Sequence, residues 1–210
     1  MNPRSAVILA GGRSSRMGLP KAALPFGRST ILERLLDTLN GAFGELIVVA
    51  APLSDEPFSI DRTLHGRTDL NHLIERDDDA FAGPVGALRR GLERASGEIV
   101  FACSCDLPLL QLEVASALCA MLADGDDAVI PQIDRMPQPL CAAYRREPAA
   151  AALAAMAAAG EARLRLIAEL LRVRTIEESA LRAIDADLRS FINVNTAEDY
   201  ARALRLACAS

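Results

Sequence analysis

Apolar positions along the chain fall into short unbroken runs, separated by segments in which they recur every three or four residues. The clearest runs are Ala6-Val7-Ile8-Leu9, Leu46-Ile47-Val48-Val49-Ala50 and Ile99-Val100-Phe101-Ala102-Cys103. Runs of this length are expected of strands in a parallel sheet covered on both faces. Leu70–Ile74, Ala128–Ile130 and Gln138–Tyr144 are further strand candidates, and Pro139 places the last at a sheet edge or beside a bulge. Helical spacing predicts helices over Thr30–Leu36, from Pro84 to about Ala95 with Gly97 as the stop, and over Leu110–Ala123. Pro148–Ala159 is alanine-dominated. Its summed propensity, Pro148 at the start and Gly160 at the end predict a helix, with a second over Arg163–Leu171. Pro52–Gly66 reads as loop plus one poor helix, and Leu188–Val194 as a short apolar segment. The last helix opens at Asn195-Thr196-Ala197-Glu198-Asp199 and runs to about Cys208. Strands and helices alternate throughout with no repeat or composition break. That predicts one three-layer α/β/α domain over residues 1–210.

Composition changes this picture little but narrows the chemistry. A chain of 210 residues can bury about 70% of its extended surface. With 51% apolar residues, 4% aromatics and no tryptophan, the core must be aliphatic. A net charge of −5 gives no support for binding nucleic acid or an anionic membrane surface, since both want a basic face. Five cysteines, an odd number with no zinc spacing, do not form a disulfide framework. No run reaches the ~18 apolar residues of a membrane span, and no signal peptide precedes the first strand candidate. The expectation is a reduced, cytoplasmic protein.

The most informative stretch follows the first strand: Ala10-Gly11-Gly12-Arg13-Ser14-Ser15-Arg16-Met17-Gly18-Leu19-Pro20-Lys21. A glycine-bearing, basic loop between a strand and a helix is how open α/β proteins hold phosphates, because backbone N–H groups can approach the anion. It is neither a Walker A loop, since Gly18 precedes Leu19 rather than Lys, nor a G-x-G-x-x-G dinucleotide loop. The second informative stretch is Cys103-Ser104-Cys105-Asp106-Leu107-Pro108, an apolar strand with one carboxylate at its carboxyl edge. Ligands in such sheets sit beyond the carboxyl ends of the strands. A carboxylate facing phosphates needs a cation between them, so Asp106 is the candidate Mg²⁺ ligand. The only histidines, His65 and His72, lie outside both stretches, so no catalytic triad is present. A phosphate monoester nucleophile would need no base, because its second pKa is near 6.

Leu9-Ala10-Gly11-Gly12, Arg16-Met17-Gly18 and Lys21 together resemble the signature of the nucleotidyltransferases that include sugar-nucleotide pyrophosphorylases. Gly83-Pro84-Val85-Gly86, Cys105-Asp106-Leu107-Pro108, Gln138–Tyr144 and Phe191–Asp199 extend the match in order along the chain. Within that superfamily the chain resembles the molybdenum cofactor guanylyltransferases. The resemblance implies a Rossmann-like, mostly parallel sheet of the nucleotide-diphospho-sugar transferase type. It also implies Mg²⁺-dependent transfer of GMP from GTP to the terminal phosphate of Mo-molybdopterin, forming molybdopterin guanine dinucleotide and releasing pyrophosphate. By position, Leu9, Ala10 and Gly11 match residues along the base and sugar, while Gly12, Arg16 and Lys21 match the triphosphate grip. Asp106 matches the metal ligand, Asp77 a nucleotide-contacting aspartate, and Asn193 and Asn195 asparagines on the pterin side. Arg16, Lys21 and Asp106 are thus the expected catalytic residues. The partners implied are the two substrates and transient contacts with molybdoenzyme maturation proteins, by a monomer or weak oligomer.

Three positions depart from the pattern: Pro20 stands before the loop lysine, Val49-Ala50-Ala51 end the second strand without asparagine, and position 76 is Arg. The last two fall on the base pocket, which leaves cytidylyl transfer to the same cofactor as an alternative, alongside another nucleotidyltransferase of this fold. A nucleotide-binding module without turnover is the reading from a different class. Intact Arg16, Lys21 and Asp106 weigh against it.

Overall fold

In the computed structural model, the residues described are 4–11, 19–51, 60, 64, 67, 69–76 and 83–208. The strands are β1 (Arg4–Leu9), β2 (Pro25–Phe26), β3 (Ser29–Thr30), β4 (Glu45–Ala50), β5 (His72–Arg76), β6 (Ile99–Ser104), β7 (Ala128–Ile133), β8 (Met136–Pro137), β9 (Cys141–Arg145) and β10 (Val173–Glu177). The helices are α1 (Ile31–Asn40), α2 (Gly83–Arg94), α3 (Leu112–Ala120), α4 (Arg146–Ala158), α5 (Glu178–Leu181) and α6 (Ala197–Cys208). The main sheet runs β10-β7-β9-β6-β1-β4-β5, with β8 pairing off β7 and β2–β3 forming a separate small hairpin.

Alternation along the strands feeds two cores. Ala6 and Ile8 of β1 join α1, α3 and α6 on one face of the sheet. Val7 and Leu9 join α2 and α4 on the other. This is the α/β/α arrangement expected, with a mostly parallel sheet. Helix α1 starts where Thr30 and Glu33 form a capping box: Glu33 N donates to Thr30 Oγ1 at 3.2 Å, and Thr30 N to Glu33 Oε2 at 2.7 Å. Its buried side is Ile31, Leu32, Leu35, Leu36 and Leu39, one face of a 3.6-residue period.

Gly91 sets how closely α2 approaches the sheet. A methyl group there would lie 2.4 Å from Val7 Cγ1 and 3.2 Å from Val49 Cγ2. Val7 is fully buried and branched at Cβ, so it has no room to yield. Gly91→Ala should therefore destabilise the protein by roughly 1–3 kcal/mol of overpacking, offset by at most ~1 kcal/mol of helix propensity. A denaturant midpoint at or above wild type would contradict this close approach.

Three expectations need correction, and one strand was missed. The Gln138–Tyr144 candidate is not an edge strand: β9 begins at Cys141, lies between β6 and β7, and is antiparallel to both. Pro139 precedes it, so its missing N–H costs no ladder bond, and its carbonyl accepts from Tyr144 Oη at 2.7 Å. Over Arg163–Leu171 the chain forms a 3₁₀ segment, Leu164–Glu169, rather than an α-helix. The third strand lies two residues later than expected, so Arg76 ends β5, and its Nη1 donates to Ala51 O at 3.1 Å. The edge strand β10, parallel to β7, was not anticipated. Its entry is clamped by Arg172, whose Nε and Nη2 donate to the Asp127 carboxylate at 2.9 and 2.7 Å. The guanidinium holds that carboxyl down to about 2. The poor helix expected between Pro52 and Gly66 lies largely outside the described residues, although Ile60 and Leu64 within it are buried.

Candidate active site

The carboxyl ends of β1, β4 and β6 lie side by side, with Leu9 opposite Val49 on one flank and Ser104 on the other. Pairing continues one step past the strands: Ala10 N donates to Val49 O at 2.9 Å, and Cys105 N donates to Leu9 O at 3.0 Å. The chain just past β1, at Ala10, and just past β6, at Cys105 beside Asp106, is thereby fixed to the neighbouring strands. Leu9 is buried in the core under α2, Ala10 is half-buried and Gly11 is exposed. A Cβ on Gly11 would lie 3.3 Å from Ala51 N, so glycine lets the loop pass close to the end of β4.

Lys21 opens a short 3₁₀ turn, Lys21–Ala23, and its ammonium is the meeting point of the site. Lys21 Nζ lies 3.3 Å from Asp106 Oδ2 and donates to Asn195 Oδ1 at 2.6 Å. Lys21 and Asp106 are each about one-fifth exposed, so the pair is open to a ligand while partly shielded from water. Three residues predicted from separate stretches, Lys21, Asp106 and Asn195, are thus brought together by the fold. Asn195 is held from behind. Asp199 Oδ2 accepts from Asn195 N at 3.1 Å and Thr196 N at 2.9 Å, and Asp199 N donates to Thr196 Oγ1 at 3.1 Å. Those bonds cap α6, and the Thr196 side chain with the Asn195 and Thr196 backbone N–H groups keeps the Asp199 carboxyl below the usual carboxylate range. Val194 N donates to Asp106 O at 2.8 Å, tying the C-terminal segment to the metal-ligand candidate. Asn193 is exposed on the same segment.

A cavity of about 170 Å³ adjoins this cluster, lined on its polar side by Ser104, Asp106, Gln138 and Asn193. Pro84, Leu107, Pro139, Leu140 and Leu164 form its apolar walls, suiting a partly apolar ligand with a polar edge. The turn after Asp106 is braced by Arg34, whose Nε donates to Pro108 O at 2.7 Å and whose guanidinium sits 5.4 Å from the Phe26 ring centroid. The thiols beneath the site are not nucleophiles. Burial pushes Cys105 up to about 12, the Asp106 carboxylate adding to the effect and Lys21 opposing it, and burial likewise raises Cys103. His72 is on edge strand β5, its Nδ1 3.3 Å from Leu70 O.

Gly12, Arg16 and Asp77, named from the sequence, and His65 lie outside the described residues. Two polar residues of the site were not singled out from the sequence. Ser104 had one available signal, a hydroxyl closing an otherwise apolar strand two residues before Asp106. Gln138 belonged to a recognised segment, but its place in the cavity wall depends on the turn that brings Gln138 N to Pro131 O at 2.8 Å. Among the described residues no three His, Cys, Asp or Glu side chains converge on one point.

Similarity to known proteins agrees with this geometry. Residues 6–175 match the model of the MobA-like NTP transferase domain. The chain is 35% identical to a probable molybdenum cofactor guanylyltransferase of Methanosarcina mazei, over 93% of this chain and 88% of that protein. It is 31% identical to a molybdenum cofactor guanylyltransferase of Desulfosudis oleivorans, over 97% and 95%. Among solved structures, it superimposes with a TM-score of 0.81 and 24% identity on molybdopterin-guanine dinucleotide biosynthesis protein A of Archaeoglobus fulgidus, covering 98% of this chain and all of that one. The fold also matches a 2-C-methyl-D-erythritol 4-phosphate cytidylyltransferase of Thermus thermophilus, with a TM-score of 0.69 at 19% identity, covering 99% of this chain and all of that one. The chain belongs to the MobA-like NTP transferase family, and it is a nucleotidyltransferase.

Proposed function

We propose that this protein is a cytoplasmic enzyme, one nucleotidyltransferase domain over residues 1–210. It transfers GMP from GTP to the terminal phosphate of Mo-molybdopterin, releasing pyrophosphate and forming molybdopterin guanine dinucleotide. The observation that carries this reading is the meeting of Lys21, Asp106 and Asn195 at the carboxyl edge of the sheet. The names of the relatives supply the substrates. In this reading Leu9, Ala10 and Gly11 run along the base and ribose, with Leu9 contributing backbone because its side chain is buried. Gly12, Arg16 and Lys21 grip the triphosphate, Asp77 contacts the nucleotide, and Asn193 and Asn195 face the acceptor.

The donor set suits Mg²⁺, which takes one or two carboxylates and completes its shell from phosphate oxygens and water. Asp106 would hold it. When bound, Mg²⁺ neutralises phosphate oxygens and orients them for in-line displacement. Lys21 has the second electrostatic role, since its ammonium can follow charge as it develops on the leaving pyrophosphate. Asn195 fixes the lysine so that no reorientation is needed at that moment. The acceptor phosphate is ionised at neutral pH and attacks the α-phosphorus directly. The protein therefore aligns two anions rather than abstracting a proton.

The test is the thermal shift of the purified protein with GTP, CTP, ATP or UTP, each with Mg²⁺. A ligand that binds only the folded state adds about 2.7 kcal/mol at a hundredfold excess over Kd. GTP alone should raise Tm. A shift with CTP instead would retain the chemistry, overturn the choice of base and point to Ala51 and Arg76.

A further inference from the structure

Ser104 closes β6, a strand that is otherwise apolar, and its side chain sits in the cavity wall beside Asp106. Its hydroxyl makes two bonds to the same residue. Ser104 Oγ donates to Asp106 Oδ1 and accepts from Asp106 N at 3.3 Å. The backbone beneath is fixed, because Ser104 N donates to Leu140 O at 3.3 Å and Ser104 lies opposite Leu9 in the β1–β6 register.

The two carboxylate oxygens of Asp106 consequently have different surroundings. Oδ1 is held by the serine, and Oδ2 faces Lys21 Nζ. An aspartate without such a partner turns broadly about χ2, exchanging its two oxygens. The Asp106 N–H occupies one lone pair of Ser104 Oγ and so turns the hydroxyl proton toward the carboxylate. We propose that Ser104 is a positioning residue: its hydroxyl holds Oδ1 and so fixes the orientation in which the Asp106 carboxylate would meet a divalent cation carried by the nucleotide. This rests on the assignment of Asp106 given above. Losing a partner that hydrogen-bonds a ligating carboxylate typically costs about 10–100-fold in metal affinity or activity.

The probe is Mn²⁺, titrated at fixed GTP into the wild type and the Ser104→Ala, Ser104→Cys and Ser104→Thr variants, with the bound ion read by electron paramagnetic resonance. Alanine removes the donor, cysteine replaces it with a weak one at similar volume, and threonine keeps it. The Ala and Cys variants should need about tenfold or more Mn²⁺ for half-saturation, and Thr within about threefold of wild type. The ligand-free Tm of all three should stay close to wild type. At saturating metal, kcat should fall less than the metal affinity does. Wild-type Mn²⁺ titration in both Ala and Cys variants would overturn the role of the hydroxyl and leave Asp106 as the ligand. A shift in the Thr variant as large as that in Ala would also overturn it. If the wild type and Asp106→Ala bind Mn²⁺ equally, the metal assignment itself falls, and this inference with it.

Discussion

Asp106→Ala should abolish nucleotidyl transfer and leave the fold intact. The carboxylate contacts only Ser104 and Lys21 among the described residues. The bonds that anchor this stretch engage its own backbone atoms: Cys105 N to Leu9 O, Val194 N to Asp106 O, and the Arg34 side chain's Nε to Pro108 O. None needs the aspartate side chain, so the variant should fold and keep its ligand-free Tm. Losing the metal's protein anchor removes several kcal/mol of charge stabilisation in the transition state, on the order of 10³-fold or more in kcat. The check is single-turnover pyrophosphate release at saturating GTP, with circular dichroism for the fold. A rate near wild type would end the assignment of Asp106 as metal ligand.

Lys21→Ala should be nearly as damaging, by a different route. The ammonium is donor to Asn195 and faces Asp106, so its removal deprives the transferring phosphates of a fixed cation. It also leaves the Asp106 and Asn195 oxygens facing each other's surroundings without their shared partner. Deleting one preorganised donor to a developing oxyanion costs about 10²–10³ in rate. A comparable loss in kcat/KM is expected here, part of it in GTP affinity. Lys21→Arg should recover only a fraction, because a planar fork cannot occupy the place of a compact ammonium. The double variant with Asp106→Ala should be little worse than Asp106→Ala alone, since the two residues act as a unit. An unchanged kcat/KM in Lys21→Ala would remove the loop from the mechanism.

How much of this was legible in the sequence depends on how local each feature is. The runs at Ala6–Leu9, Leu46–Ala50 and Ile99–Cys103 predicted β1, β4 and β6, because strands buried on both faces leave no polar positions. Asp106 stood out for the same reason, as the one carboxylate at the end of such a run. The direction of β9 was not legible, since Cys141–Tyr144 is equally apolar whichever way it pairs. Edge strand β10 reads Val-Arg-Thr-Ile-Glu, with three polar residues in five, and is recognisable only once β7 lies beside it. The failed helix over Arg163–Leu171 shows tertiary packing outweighing propensity: Leu164 and Ile167 are buried in a tight 3₁₀ segment next to the cavity.

At the site itself, Lys21 was legible from its place after the glycine loop. Asn195 was legible only through resemblance, because nothing local links it to a lysine 174 positions earlier. Ser104 and Gln138 gained meaning only when β6 and the turn before β9 were placed around one cavity.

The most direct measurement is the fate of the nucleotide in a full reaction: GTP labelled on the α-phosphate, Mg²⁺, Mo-molybdopterin and the purified protein. Label should enter the pterin product one for one with pyrophosphate released, with neither event when the acceptor is omitted. Label recovered as GDP, or pyrophosphate released without transfer of label to the pterin, would contradict it.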